Sequence, residues 1–137
     1  MGTRSLTFVY DGDVPVINIY RQYDGYPSGH GHELAQFLDS KNLVNGYGEQ
    51  NSFEANGMGC LAAQLIVQLK HGVGGIYIYP VSSTDCFQDY EYHVYEDKVI
   101  VKDPTAIIFE GTWEEFSQFI DDETGYHRGE EYDRISE

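Results

Sequence analysis

The sequence predicts an α+β fold, a largely antiparallel sheet with two or three helices packed on one face. Three observations carry that expectation. Strand-like segments cluster instead of alternating one by one with helices, short tyrosine-rich runs alternate with period two, and three other segments carry apolar residues at helical spacing. A parallel doubly wound sheet would need regular strand and helix alternation and is the less favoured alternative.

The first element is RSLTFVY, where Arg4, Leu6, Phe8 and Tyr10 share one face and Ser5, Thr7 and Val9 the other. Asp11, Gly12 and Asp13 turn the chain into VPVINIYRQY, so the two runs form a hairpin. GHELAQFLDS then places Leu34, Phe37 and Leu38 on one stripe of a short helix. LVNGYGEQNS, with Asn45, Gly46 and Tyr47, reads as turn or loop. A longer helix is expected over residues 57–71, with Asn56 as N-cap and Gly72 as its stop. Its stretch CLAAQLIVQL is apolar almost all round, which marks it as the central core helix. IYIYP, DYEYHVYED and KVIVKD read as strands, followed by the β-branched TAIIFEG. Thr112 and Glu115, three residues apart, form a capping box before WEEFSQFI, where Trp113, Phe116 and Ile120 fall on one stripe. Residues 1–120 are expected to form one compact domain and residues 121–137 an acidic tail.

Charge narrows the function classes. The 137 residues carry 23 Asp and Glu against 8 Lys and Arg, a formal net charge of -15. Such a charge repels phosphate backbones and anionic bilayers at long range, so neither DNA, RNA nor a membrane is an expected partner. One small anion in a local basic pocket remains compatible with it. Hydrophobic residues make up 41%, which argues against whole-chain disorder. Of the two cysteines, Cys60 lies in the apolar helix and Cys86 in a polar segment; they match no CxxC or disulfide framework, and a bridge between them is disfavoured. No signal-like or membrane-spanning apolar run occurs, so a cytoplasmic protein is expected.

The most unusual stretch is YRQYDGYPSGHGHE, residues 20–33. Its Gly29 and Gly31 could let backbone N–H groups at a helix start face a phosphate or carboxylate, although the spacing matches neither the Walker A nor the dinucleotide pattern. The alternative is a turn with Ser28 as helix cap. Alternation puts Arg4 on the face of Leu6 and Phe8, and Arg21 on the face of Ile17 and Ile19, so two cations point toward apolar surroundings. Each needs a partner: a bound phosphate, or an internal acid such as Asp24, Glu33 or Glu91. His30 and His32, if extended, would present both rings to one side, as a zinc pair or an acid and base toward a phosphodiester would require. No third metal ligand stands at a diagnostic spacing, and neither a metal nor a cofactor is expected. His93 shares a strand face with Glu91 and Tyr95, as a cross-strand partner would. Cys60 reads as structural.

MGTRSL, YRQYDGYPSGHGHELAQFL, NGMGCLAAQLI, and GGIYIYP followed by YEYHVY resemble a family of small uncharacterised bacterial and phage proteins. The resemblance implies no reaction. Compact acidic phage proteins that bind or cleave nucleotide immune signals are similar in kind, and a phage-encoded chain would work in the host cytoplasm.

The leading expectation is therefore a binding protein that sequesters a phosphate-bearing nucleotide or cyclic nucleotide. Arg4 and Arg21 would hold phosphate, residues Ser28, Gly29 and Gly31 would offer N–H donors, and Tyr20, Tyr23, Asp24 and Tyr26 would line the site. An enzyme using His30 and His32 on such a ligand is the second expectation, and an acidic module that inhibits a host defence protein the third. Tyrosine-rich strand edges suggest a homo-oligomer.

Overall fold

The computed structural model describes residues 2–46 and 53–124. Strands β1 (Ser5–Asp11) and β2 (Val14–Arg21) form the expected hairpin. A π turn over Pro27–Gly31 leads into α1 (His32–Asp39). Two short strands flank the segment read as loop, β3 (Asn42–Val44) overlapping its start and β4 (Glu54–Asn56) following its end, and they pair in parallel. Helix α2 (Gly57–Leu69), strands β5 (Ile76–Tyr79), β6 (Tyr90–Val94), β7 (Val99–Lys102) and β8 (Ile107–Gly111), and helix α3 (Trp113–Thr124) complete the chain. The main sheet has six strands in the order β5-β2-β1-β6-β7-β8. All its pairings are antiparallel except that of β1 with β6.

The fold is thus α+β, with all three helices on one face. Val9, Ile19, Tyr92, Val94, Val99 and Val101 of the sheet close a core with Leu34 and Leu38 of α1, Leu61 and Leu65 of α2, and Phe116 and Ile120 of α3. Leu6, Phe8 and Tyr20 form a second cluster on the opposite face. No helix covers it. Residues 80–89, linking β5 to β6, cross that face instead: buried Asn18 donates to the carbonyls of Pro80 (3.0 Å) and Ser83 (2.9 Å), and Cys86 packs on the cluster. Cys60 packs on the helix side, so the sheet separates the two free cysteines.

Local signals show where each expectation held. The hairpin has a bulge between Val9 and Tyr10, beside Pro15, which cannot donate to a ladder. Asn56 precedes α2 but does not cap it through its side chain; its Oδ1 accepts from the Gly46 N–H at 2.9 Å. The helix stops at Leu69, short of the expected end, with Lys70 already extended. Because α3 runs to Thr124, helix replaces the start of the expected tail, and residues 125–137 lie outside the described residues. Tyr47 does too. Among the described residues no helix is long and apolar enough to cross a membrane.

The capping box forms as its spacing predicts. Glu115 N–H donates to Thr112 Oγ1 (3.1 Å), and Thr112 N–H to Glu115 Oε1 (2.8 Å). Thr112→Ala is expected to cost about 1 kcal/mol. Urea melts should show a lower midpoint at unchanged slope; an unchanged midpoint would mean that the cap contributes nothing.

Candidate functional site

Arg21 ends β2 opposite Ser5 of β1, which puts it on the helix-covered face. Its side chain is only 14% exposed. The guanidinium donates through Nε to the Tyr23 carbonyl (2.6 Å), through Nη1 to His30 Nδ1 (3.2 Å) and through Nη2 to Glu33 Oε2 (2.9 Å). A guanidinium has no acceptor, so His30 must take that bond on a bare Nδ1 and carry its proton on Nε2. That proton is given to Thr7 Oγ1 at 2.7 Å. Complete burial, and next the Arg21 charge, lower the His30 pKa to about 3, so the ring is neutral near pH 7.

This arrangement corrects the histidine expectation. Residues 27–39 are helical, first as a π turn and then as an α-helix. Residues two apart on a helix point about 200° apart, so His30 and His32 do not present their rings to one side. His30 has both nitrogens bound inside the protein, where no substrate reaches. Among the described residues no group of three or more His, Cys, Asp or Glu could hold a metal ion.

The glycine cradle is also corrected. Gly29 and Gly31 N–H groups donate to the Tyr26 carbonyl (2.9 and 3.4 Å), and the His30 N–H to the Asp24 carbonyl (2.8 Å). These donors face inward. Gly29 is needed for close approach, since a Cβ there would lie 2.5 Å from the Asp24 carbonyl oxygen, whereas one on Gly31 would meet only the end of a side chain, Ile120 Cδ1, at 2.8 Å. Ser28 is exposed inside the π turn and does not cap it. Asp24 and Tyr26 are exposed and bond each other, Tyr26 donating to the Asp24 carboxylate at 3.0 Å.

Arg4 and Arg21 do not converge. Asp11 stands opposite Val14 and Tyr10 opposite Pro15, and continuing that register would have set Arg4 opposite Arg21. The bulge shifts the rest of β2 by one residue, which turns every later side chain to the other face. Arg21 goes under the helices, while Arg4 stays on the far face, where its charge reaches Tyr20. Arg4 anchors the crossing segment through its backbone, its N–H donating to Asp89 Oδ2 (3.1 Å) and its carbonyl accepting from the Asp89 N–H (2.9 Å).

Of the nine expected ligand residues, Arg21 and Tyr23 stay together, in a cavity of about 390 Å³. Glu33 of α1, Leu69 and His71 at the end of α2, and Gly74, Gly75 and Ile76 before and in β5 line the rest. Gly72, Gly74 and Gly75 all take φ near +77, a left-handed backbone that suits glycine. Lys70 Nζ ties this turn by donating to the carbonyls of Gly74 (3.0 Å) and Ile76 (2.9 Å). Two of the eight Lys and Arg thus gather here in a chain of net charge -15. Sequence reasoning used His71 and Gly72 only as the end and stop of a helix and gave neither them nor Gly74 and Gly75 a place in a site, although the run HGVGG was a visible signal.

Fold and cavity together define a small acidic α+β protein with an arginine-floored surface pocket. Comparison with protein-family models, curated proteins and solved structures yields no match.

Proposed function

We propose that the protein binds a small phosphate-bearing ligand of the nucleotide class in the Arg21 pocket and sequesters it without turnover. The observation that carries this reading is the mostly buried guanidinium on the floor of a 390 Å³ cavity, walled by exposed Tyr23 and His71. Three of the five guanidinium N–H groups serve Tyr23, His30 and Glu33. The other two are left for phosphate oxygens, Glu33 for a ribose hydroxyl, and the Tyr23 ring for a base. A sequestering protein needs no nucleophile beside the phosphate. For a phage-encoded protein, a nucleotide immune signal would be the fitting ligand.

Thermal-shift and calorimetric titrations with inorganic phosphate, mononucleotides and cyclic dinucleotides test this. At least one nucleotide is expected to bind, with Tyr23→Ser weakening it by about tenfold, the size of one lost base-stacking contact, and leaving the melting temperature in place. Arg21→Lys, which keeps the charge but loses the planar fork, should weaken phosphate contact further. Absence of binding across the panel, or equal affinity in both variants, overturns the proposal.

A further inference from the structure

A second constellation lies on the sheet face away from the helices. Parallel pairing sets Leu6 opposite Glu91 and Phe8 opposite His93. Tyr10, one step further along that face, places its hydroxyl 2.6 Å from His93 Nδ1, and His93 Nε2 lies 2.9 Å from Glu91 Oε1. Gln88 Nε2 holds the other Glu91 oxygen at 2.8 Å. Phe8 stacks on the imidazole with centroids 5.1 Å apart, and Tyr95 stacks on Tyr10 at 4.2 Å. Each group is therefore fixed from two sides.

The direction of the bonds follows from the carboxylate. Its bond from His93 outweighs burial, which acts to raise the pKa, and together with the bond from Gln88 holds the Glu91 pKa below its ordinary value, so this carboxylate is ionised near pH 7 and accepts. His93 then carries its proton on Nε2 and presents a lone pair at Nδ1, to which the Tyr10 hydroxyl donates. Hydroxyl, imidazole and carboxylate stand in the order that defines an activated nucleophile, its base and the group that orients the base.

From this geometry we infer that Tyr10 is a nucleophile, with His93 as its base and Glu91 as a positioning residue, and that it accepts an acyl group from a neutral ester. Tyr95, stacked on Tyr10, also lines a cavity of about 470 Å³ with Gly12, Asp13, Glu96, Asp97 and Lys98, and we place the ester there. Three carboxylates against one amine there disfavour anionic esters. Tyr10 Oη bonds to the ester carbonyl carbon while its proton passes to His93 Nδ1. The ester C–O bond breaks, and His93 returns the proton to the departing alcohol. Water, deprotonated in turn by His93, then releases the acid and restores the phenol. Burial, and next the neighbouring Tyr95, raise the Tyr10 pKa, so the phenol rests protonated and depends on its base.

p-Nitrophenyl acetate is the probe. A burst of p-nitrophenol is expected, with the acetyl group mapped by peptide mass spectrometry to Tyr10 ahead of the more exposed Tyr23. Tyr10→Phe, which removes one oxygen, should abolish the burst and keep the melting curve. His93→Ala should slow it by about a hundredfold or more, with added imidazole restoring part of the rate. Glu91→Gln should slow it and change its pH profile, which a purely structural carboxylate would not do. Acetylation spread equally over Tyr10 and Tyr23, or a Tyr10 rate untouched by loss of His93, overturns the inference.

Discussion

At pH 4.5 the protein is expected to be about 2–3 kcal/mol less stable than at pH 7 through His30 alone. Folded, its imidazole has a pKa lowered to about 3, against 6.5 for an unperturbed ring. The unfolded chain therefore takes up the proton first as pH falls. Stability contributed by neutral His30 is complete above about pH 6.5 and is lost progressively toward pH 3. Charging the ring inside the fold would set it against the Arg21 guanidinium, with no carboxylate on either nitrogen. Urea unfolding at the two pH values measures the effect, and His30→Gln isolates it. A glutamine amide can accept from Arg21 and donate to Thr7 without titrating, so its stability should change much less over this interval. Equal losses in wild type and variant would show that other groups carry the acid sensitivity.

Phe116→Ala is expected to cost about 3–5 kcal/mol, the usual range for emptying a buried aromatic site. The ring is fully buried, joins α3 to the sheet, and lies 5.8 Å from Phe109 between centroids. Phe87→Ala, at a ring that is 83% exposed, should stay within about 0.5 kcal/mol. Guanidinium melts of the pair compare a deep apolar contact with a surface one. Similar midpoints would contradict the placement of α3 against the core.

How much was legible in advance follows from where each determinant lies. The hairpin turn, the Thr112 capping box and the stripe of Trp113, Phe116 and Ile120 depend on residues a few positions apart, and all are present. The alternation of YEYHVY also placed Glu91 and His93 together correctly. Invisible locally was the strand that would lie beside them, since Tyr10 meets His93 only through the pairing of β1 with β6. The candidate site failed at a smaller distance. Both arginines pointed toward apolar neighbours as alternation implied, but one extra residue in β2 turned Arg21 to the opposite face from Arg4. Pro15 hinted at an irregular strand without showing which residue would bulge. His30 and His32 were read in an extended segment, and helical geometry separates them.

The place of β6 has a consequence for how the chain assembles. Ser5 stands opposite Tyr90, so the seam between β1 and β6, at the middle of the sheet, joins strands from distant parts of the sequence. At ribosomal speeds of about 5–20 residues per second, the hairpin leaves the ribosome several seconds before that partner. Closing so long a loop is entropically costly and slow beside hairpin formation. Until it closes, Leu6 and Phe8 lack their cover and β1 has a bare edge. The centre of this sheet is among the last parts to be joined, and the interval before joining is when the nascent chain is most exposed to aggregation.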